Sequence, residues 1–441
     1  MGSRNARQYV LPIIAAVLAV VAAERAPAPE VYLSISKGFG EKIIVAVPLF
    51  EAEGAGTVGA DDVRDVMSFD LGHSGYFSVV ENTAFVDENE AADRATGEID
   101  FAEWLALGAE VLVKGTMEAG VSEFSLEAEV YDLAQGQSIF ARRYSGEAAR
   151  WREAAHRLAD DIVRRLTGEA GVATTSIAFV SNATGAKEIY VMDYDGENRR
   201  RITRDNTIAT YPDWFPDGRR IVYTMYRGSR QELHAVNIST GETGVLTEFP
   251  GLNAFPAVSP RGNEMLAALS RDGNTEIYRL RADGTDPRRL TYGRSTESSP
   301  CWSPDGRRVA FVSDRSGTPQ IYVMSAAGGR AERLTYQGGN NTSPDWSPNG
   351  DLVAFTSRVD GVYQICTVDV ETREVVRLTT GGGSKEDPSW APDGRHIVYS
   401  KRQGGKTDLY MLDILDLQPI RLTDGSGDYT SPSWSGRPEG A

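Results

Sequence analysis

The sequence is short of the residues from which reactive centres are built. Across 441 residues there are two cysteines, Cys301 and Cys366, and four histidines, His73, His156, His234 and His396. Two thiols make neither a disulfide framework nor a thiolate metal cluster, whatever the redox compartment, and four imidazoles leave little for acid–base or metal chemistry. Basic charge is also scarce: 46 Lys and Arg stand against 62 Asp and Glu, a formal charge of -16. A negative surface repels phosphate, which disfavours a nucleic-acid partner. Catalytic signatures are missing too. There is no Gly-x-Ser-x-Gly elbow, phosphate loop or His-Glu-x-x-His pair, and Gly72-His73-Ser74-Gly75 lacks the elbow's spacing. The expectation is a chain with no cofactor, no metal and no enzymatic activity.

Turn chemistry is abundant, with 45 Gly and 20 Pro in a chain that is 41% hydrophobic, a globular composition that excludes disorder and collagen. Arg4 and Arg7 precede a mostly apolar run from Tyr9 to Ala23 that ends on the small residues Val21-Ala22-Ala23. The pattern predicts a signal peptide over residues 1–23. The run falls short of the ~20 residues a membrane span needs, and nothing later reaches even ~18, so the mature chain should be soluble outside the cytoplasm and should not span a membrane. Residues 24–38 read as an extended segment in which Val31, Tyr32, Leu33 and Ile35 form an alternating edge strand, able to pair internally or to reach a partner.

From residue 176 onward a period of 44 runs without a slip. Pro212, Pro256, Pro300, Pro344, Pro388 and Pro432 are evenly spaced, as are Thr203, Thr247, Thr291, Thr335, Thr379 and Thr423. Two residues after each proline stand Trp214, Val258, Trp302, Trp346, Trp390 and Trp434, followed by turns such as Ser303-Pro304-Asp305-Gly306. Each copy reads as four short strands, the size of one propeller blade. The second strands, such as Arg308–Ser313, are apolar on both faces and so need covering on both sides, which stacked neighbouring sheets provide. The first second strand, Ser176–Ser181, has no Pro-x-Trp strand ahead of it, and the chain's last Pro-x-Trp strand has no second strand behind it. Pairing the two fragments buries two open edges. The prediction for 176–441 is therefore a six-bladed β-propeller closed between its first and last segments.

Residues 39–168 read as a small α/β domain, followed by a linker over 169–175. Its expected strands are Lys42–Val47, Glu110–Gly115, Phe124–Leu133 and Ser138–Tyr144, and its expected helices are Ala60–Leu71, Asp100–Leu107 and Ala149–Thr167. The last has apolar residues at three-four spacing, Arg164 and Arg165 in its final turn, and Gly168 as its stop. Most of the net negative charge lies near this domain: residues 30–175 hold 12 basic and 27 acidic residues, and 176–441 hold 31 and 34.

The repeated Asp-Gly pairs fit hairpin turns better than calcium sites, since they lack carboxylates at ligand spacing. His234 and Cys366 occupy a core slot that is Tyr in four copies, and Cys301 lies too far from Cys366 to pair with it. What varies between copies is the connection before each proline: Thr210-Tyr211, Ala254-Phe255, Ser298-Ser299, Thr342-Ser343, Glu386-Asp387 and Thr430-Ser431. Varying tips on a fixed scaffold are the layout of a binding surface. A second class stays open on these residues, an exported propeller hydrolase or lyase acting on envelope glycans or peptides, with Glu386 and Asp387 as its carboxylates.

Val45-Ala46-Val47-Pro48-Leu49-Phe50, then Asp70-Leu71-Gly72-His73-Ser74-Gly75-Tyr76-Phe77, then Ala106 to Gly115, together with the repeats, resemble the TolB family of the Tol-Pal envelope system over nearly the whole mature chain. The resemblance implies a monomeric, periplasmic, non-catalytic adaptor that supports outer-membrane integrity and envelope constriction during cell division. It implies a face for the peptidoglycan-associated lipoprotein Pal, carried by position onto Leu252, Asn253, Ala254, Phe255, Ser298 and Ser299. The varying tips add Tyr211, Thr342, Ser343, Glu386 and Asp387. It further implies that the N-terminal segment with Val31, Tyr32, Leu33 and Ile35 reaches the inner-membrane protein TolA. Leu252 stands where family members can have His.

Overall fold

The structure is a computed structural model that describes residues 41–54, 59–81 and 84–438. The predicted signal peptide and the edge strand Val31–Ile35 lie outside the described residues.

The α/β domain is built on one mixed sheet. Its strands are β1 (Ile43–Ala46), β2 (Glu51–Glu53), β3 (Phe77–Val79), β4 (Val111–Ala119), β5 (Glu123–Asp132) and β6 (Gln137–Glu147), in the order β3-β1-β4-β5-β6 with β2 beside the far end of β4. β1 runs parallel to β3 and β4, and β4-β5-β6 is an antiparallel meander. The helices are α1 (Ala60–His73), α2 (Ala84–Thr96), α3 (Phe101–Ala106) and α4 (Trp151–Thr167). α4 buries Ala155, Leu158, Ala159, Ile162 and Val163 and ends on Gly168 in the left-handed conformation, as the apolar spacing requires.

Helix α2 has no counterpart among the expected elements, and its polarity explains why. Its inward face carries Glu90 and Asp93, both buried, where an amphipathic pattern calls for apolar residues. Lys114 reaches 2.9 Å from each carboxylate, and Asp93 also accepts the Trp104 indole N–H at 2.9 Å. A buried charge is tolerated when paired in this way, and the pairing erases the hydrophobic period that reveals a helix.

Six four-stranded sheets follow. Blades one to five begin with the innermost strands Ile208–Trp214, Asn253–Val258, Glu297–Trp302, Asn341–Trp346 and Ser384–Trp390. The sixth blade joins the chain's ends: Tyr429–Trp434 pairs antiparallel with Ser176–Ser181, which is followed by Glu188–Asp193 and Arg200–Arg201. The Trp434 indole N–H donates to the Thr175 hydroxyl at 2.8 Å, and Arg437 donates to the carbonyls of Ala170, Gly171 and Pro392. The 169–175 segment is held as well by Asp160, which accepts from the amides of Ala173 and Thr174.

The 44-residue spacing of threonine has a local cause. In five blades the Thr hydroxyl accepts a backbone amide of the third strand, as Thr335 does from Ile321 at 3.0 Å. In four of these it also donates to the residue before that amide: Glu188, Gln320, Gln364 or Asp408. In these five blades the outer strand is thereby pinned to its sheet by one buried hydroxyl.

The α/β domain sits on the side of the ring that holds the turns between first and second and between third and fourth strands. Asp70 of α1 accepts from the Tyr194 hydroxyl at 2.8 Å and from His156 Nδ1 of α4 at 2.7 Å, and Arg152 of α4 pairs with Asp195. At the fifth blade, Arg395 lies over the Tyr76 ring at 5.1 Å, close against Gly75, where a Cβ would collide with the guanidinium. Burial opposes a charged His156, but the carboxylates of Asp70, Asp195 and Asp193 outweigh it and hold the imidazole up to about 9.

Two predictions follow from this packing. A histidine whose folded pKa exceeds its unfolded value contributes stability that is complete below about 6.5 and is lost as pH rises through about 9. The melting-temperature deficit of His156→Gln should therefore shrink between pH 6.5 and 9; a constant deficit would show that the imidazolium adds nothing to the contact. At the ring closure, Trp434→Phe should cost about 1 kcal/mol more in denaturant unfolding than Trp390→Phe, because it removes a hydrogen bond that the Trp390 indole does not make.

Candidate functional site

Each innermost strand carries the same defect at the same place. The register to the second strand jumps between Thr210 and Asp213, Ala254 and Ala257, Ser298 and Cys301, Thr342 and Asp345, Glu386 and Ser389, and Thr430 and Ser433. The residue before each periodic proline is left-handed: φ is 53° at Tyr211, 54° at Phe255, 46° at Ser299, 50° at Ser343, 55° at Asp387 and 48° at Ser431. These are β-bulges. Proline suits them because it has no N–H to leave unpaired and because it disfavours the right-handed region for the residue before it. A left-handed non-glycine residue costs ~1–2 kcal/mol, so six of them mark a conformation held by its surroundings.

The bulges turn three residues of every blade toward the axis. Tyr211, Phe255, Ser299, Ser343, Asp387 and Ser431, one from each blade, line a channel with a cavity of about 140 Å³, and the prolines and the residues after them form its deeper wall. Tyr211 and Phe255 lie against each other with ring centroids 4.3 Å apart. Both are half-buried. Asp387 accepts from Ser343 at 2.8 Å and Ser431 at 3.2 Å, which ties three blades together across the axis.

The deeper ring bonds one blade to the next. Asp213 accepts the Val258 amide and Asp345 the Trp390 amide, each at 2.7 Å, and Ser389 accepts the Trp434 amide at 3.0 Å. These partners sit 45 residues apart: the side chain after one proline satisfies a backbone donor of the following blade. Cys301 faces the Trp346 amide from the same position, and burial pushes its thiol well up. Burial also pushes the Asp213 carboxyl up to about 7, against the pull of the Val258 amide, and Asp345 up to about 6. Asp387 and Glu386 are raised by burial too, and Glu386 further by its neighbour Asp387. The Tyr211 hydroxyl, buried and near Asp387, rises to about 12.

Of the residues expected at this face, Tyr211, Phe255, Ser299, Ser343 and Asp387 meet in the channel mouth, and Leu252, Ser298, Thr342 and Glu386 are half-buried beside them. Asn253 and Ala254 differ, at 0% and 2% exposure. Asn253 donates to the carbonyls of Phe249 and Gly251 and accepts the Phe249 amide, so it shapes the loop from beneath. Lys385 occupies the same slot of the fifth blade and donates to the carbonyls of Thr380, Gly381 and Gly382. Sequence reasoning overlooked the deeper ring of Asp213, Cys301, Asp345, Ser389 and Ser433. The varying slot after each proline was its signal, but without the bulge nothing turns that slot toward the axis.

A model of the TolB beta propeller domain matches residues 163–437, and a model of the TolB amino-terminal domain matches residues 31–139. The chain belongs to the TolB family. A Tol-Pal system protein TolB from Desulfosudis oleivorans is 36% identical over 233 residues, 51% of this chain and 52% of the relative. Another, from a Ruegeria species, is 35% identical over 259 residues, 57% of this chain and 58% of the relative. The chain thus spans little more than half the length of these curated relatives. The crystal structure of TolB from Acinetobacter baumannii superimposes with a TM-score of 0.76 at 28% identity, covering 90% of this chain and 97% of that one. This neighbour shares the α/β domain followed by the six-bladed propeller. Both curated relatives carry the name of a Tol-Pal system protein, not of a hydrolase or lyase.

The channel carboxylates give a pH prediction. An Asp whose folded pKa of about 7 exceeds its ordinary 3.8 takes up protons on folding between those values, so its charge costs stability increasingly as pH rises through that window. Asp213→Asn, which keeps an acceptor for the Val258 amide, should melt above the wild type at pH 8 and match it near pH 4. Equal melting temperatures at both pH values would show that Asp213 ionises freely.

Proposed function

We propose that this chain is a non-catalytic periplasmic adaptor of the Tol-Pal system. On this reading it is exported by the signal peptide over 1–23, binds the peptidoglycan-associated lipoprotein through the propeller face at the channel mouth, and engages TolA through residues 24–38. Its role is to support outer-membrane integrity and envelope constriction during division. The observation that carries the reading is positional. The α/β domain occupies one side of the ring, through Asp70, Arg152, His156 and Tyr76, so the six bulged strands open their varying tips on the side it leaves free. Leu252 and Phe255 pack partly into the core between the second and third blades, which offers a partner a firm, partly apolar floor.

Phe255→Asp is a clean test because Asp387 already holds an aspartate at the equivalent left-handed position with φ 55°. The purified mature variant should bind the same bacterium's peptidoglycan-associated lipoprotein at least ~10-fold more weakly than wild type while still unfolding in one cooperative transition. Failure of the folded wild type to bind that lipoprotein would refute the proposed role.

A further inference from the structure

The free face differs in charge from the molecule that carries it. On its loops and hairpin tips, ten Lys and Arg side chains are exposed against five of Asp and Glu, in a chain whose net charge is -16. The α/β domain, with most of the net negative charge, lies on the opposite side. Such a polarised molecule presents its basic face to negative partners and its acidic end away from them.

The same face holds two of the most exposed aromatic side chains described, Tyr292 at 74% and Tyr336 at 65%. They occupy equivalent slots, 44 residues apart, on the connections entering the third and fourth blades. The other four slots hold Arg204, Glu248, Thr380 and Asp424, so no packing rule of the repeat demands an aromatic there. Each ring is backed by an arginine. Arg289 lies 4.9 Å from the Tyr292 ring and Arg333 4.9 Å from the Tyr336 ring, and each guanidinium is itself fixed on the carbonyl of Thr291 or Thr335. Each ring also has a second exposed arginine close by in the fold. Arg294 shares the Tyr292 loop, and Arg358 donates its amide to Asn340 of the Tyr336 loop at 2.9 Å.

We propose that Tyr292 and Tyr336, with Arg294 and Arg358, form a second contact zone outside the channel mouth that docks an acidic surface of a folded protein partner. Pre-positioned aromatics beside arginine are the residue types that dominate interface energies, because a supported ring loses little freedom on binding. A polyanionic sheet such as a lipid surface fits less well, since Asp272 and Asp360 are exposed among the arginines and would meet its phosphates. The inference rests on the proposed role of this face, and its test separates the two.

The full mature chain is titrated with the soluble domain of the same bacterium's peptidoglycan-associated lipoprotein at low and high salt. Tyr292→Ala and Tyr336→Ala should each weaken binding ~10-fold or more, whereas Tyr→Phe variants retain it. Arg294→Glu combined with Arg358→Glu should slow association ~10-fold at low salt and much less at high salt, where the field is screened. Melting temperatures should stay within ~2 °C of wild type, as for other surface changes. If the wild type binds but the variants bind equally well at both salts, the second contact zone is wrong and the proposed role stands. If the wild type does not bind, the proposed role fails first. Binding to phosphatidylglycerol vesicles that depends on these four residues, with lipoprotein binding untouched by them, overturns the inference in favour of a membrane contact.

Discussion

Every sheet in the ring is apolar on both faces, so each needs two neighbours, and no linear stack can give the end sheets a second one. Strand Tyr429–Trp434 meets this requirement by pairing with Ser176–Ser181. Without that pairing the first and last sheets would each expose a core face and an open edge, and the periodic interactions elsewhere would have no closed frame to act in. Closure also fixes the linker: Thr175 receives the Trp434 indole, and Arg437 grips the carbonyls of Ala170 and Gly171. The α/β domain is thereby tied at its exit to the closing blade, the same blade that supplies Tyr194 and Asp195 to its underside.

A closed ring converges six strands on one axis, where backbone donors of adjacent blades would crowd one another unpaired. The proline bulge answers this by re-aiming a side chain at each strand, and Asp213, Asp345 and Ser389 each take up a donor from the following blade. The channel polarity is thus structural first. Its carboxylates are held in a setting that raises them, because narrowness and burial oppose charge more strongly than one amide favours it. What remains free to vary is the rim, where Tyr211 and Phe255, Ser299, Ser343 and Asp387 differ in chemistry on an identical backbone. A rigid base with a changeable rim serves recognition, and the exposed Tyr292 and Tyr336 extend the same logic outward.

Much of this was legible in the chain because repetition amplifies weak signals. One Pro-x-Trp says little, but six prolines at constant spacing, five of them in Pro-x-Trp, fix the blade count, the innermost strand and the side on which the loops vary. Helix α4 was readable for a related reason, since its apolar stripe is unbroken across its length. Helix α2 was not, because Glu90 and Asp93 point inward and both pair with Lys114, a residue on a strand distant in sequence. Asn253 and Ala254 look like loop tips in one dimension but lie beneath the surface, since the strand they begin dives toward the axis.

By itself, then, the order of residues determined the period, the number of blades, the shared sixth sheet and the location of the variable rim, since all of these follow from spacing and from the need to cover apolar strands. Only the folded molecule decided that the residue before each proline is left-handed, that the slot after it faces the neighbouring blade, and that the α/β domain covers one side and leaves the other open. Those features depend on contacts between segments 45 or more residues apart, such as Asp213 with Val258 and Asp70 with His156 and Tyr194. No local pattern encodes such contacts, because each partner alone is an ordinary polar residue until closure brings the other within reach.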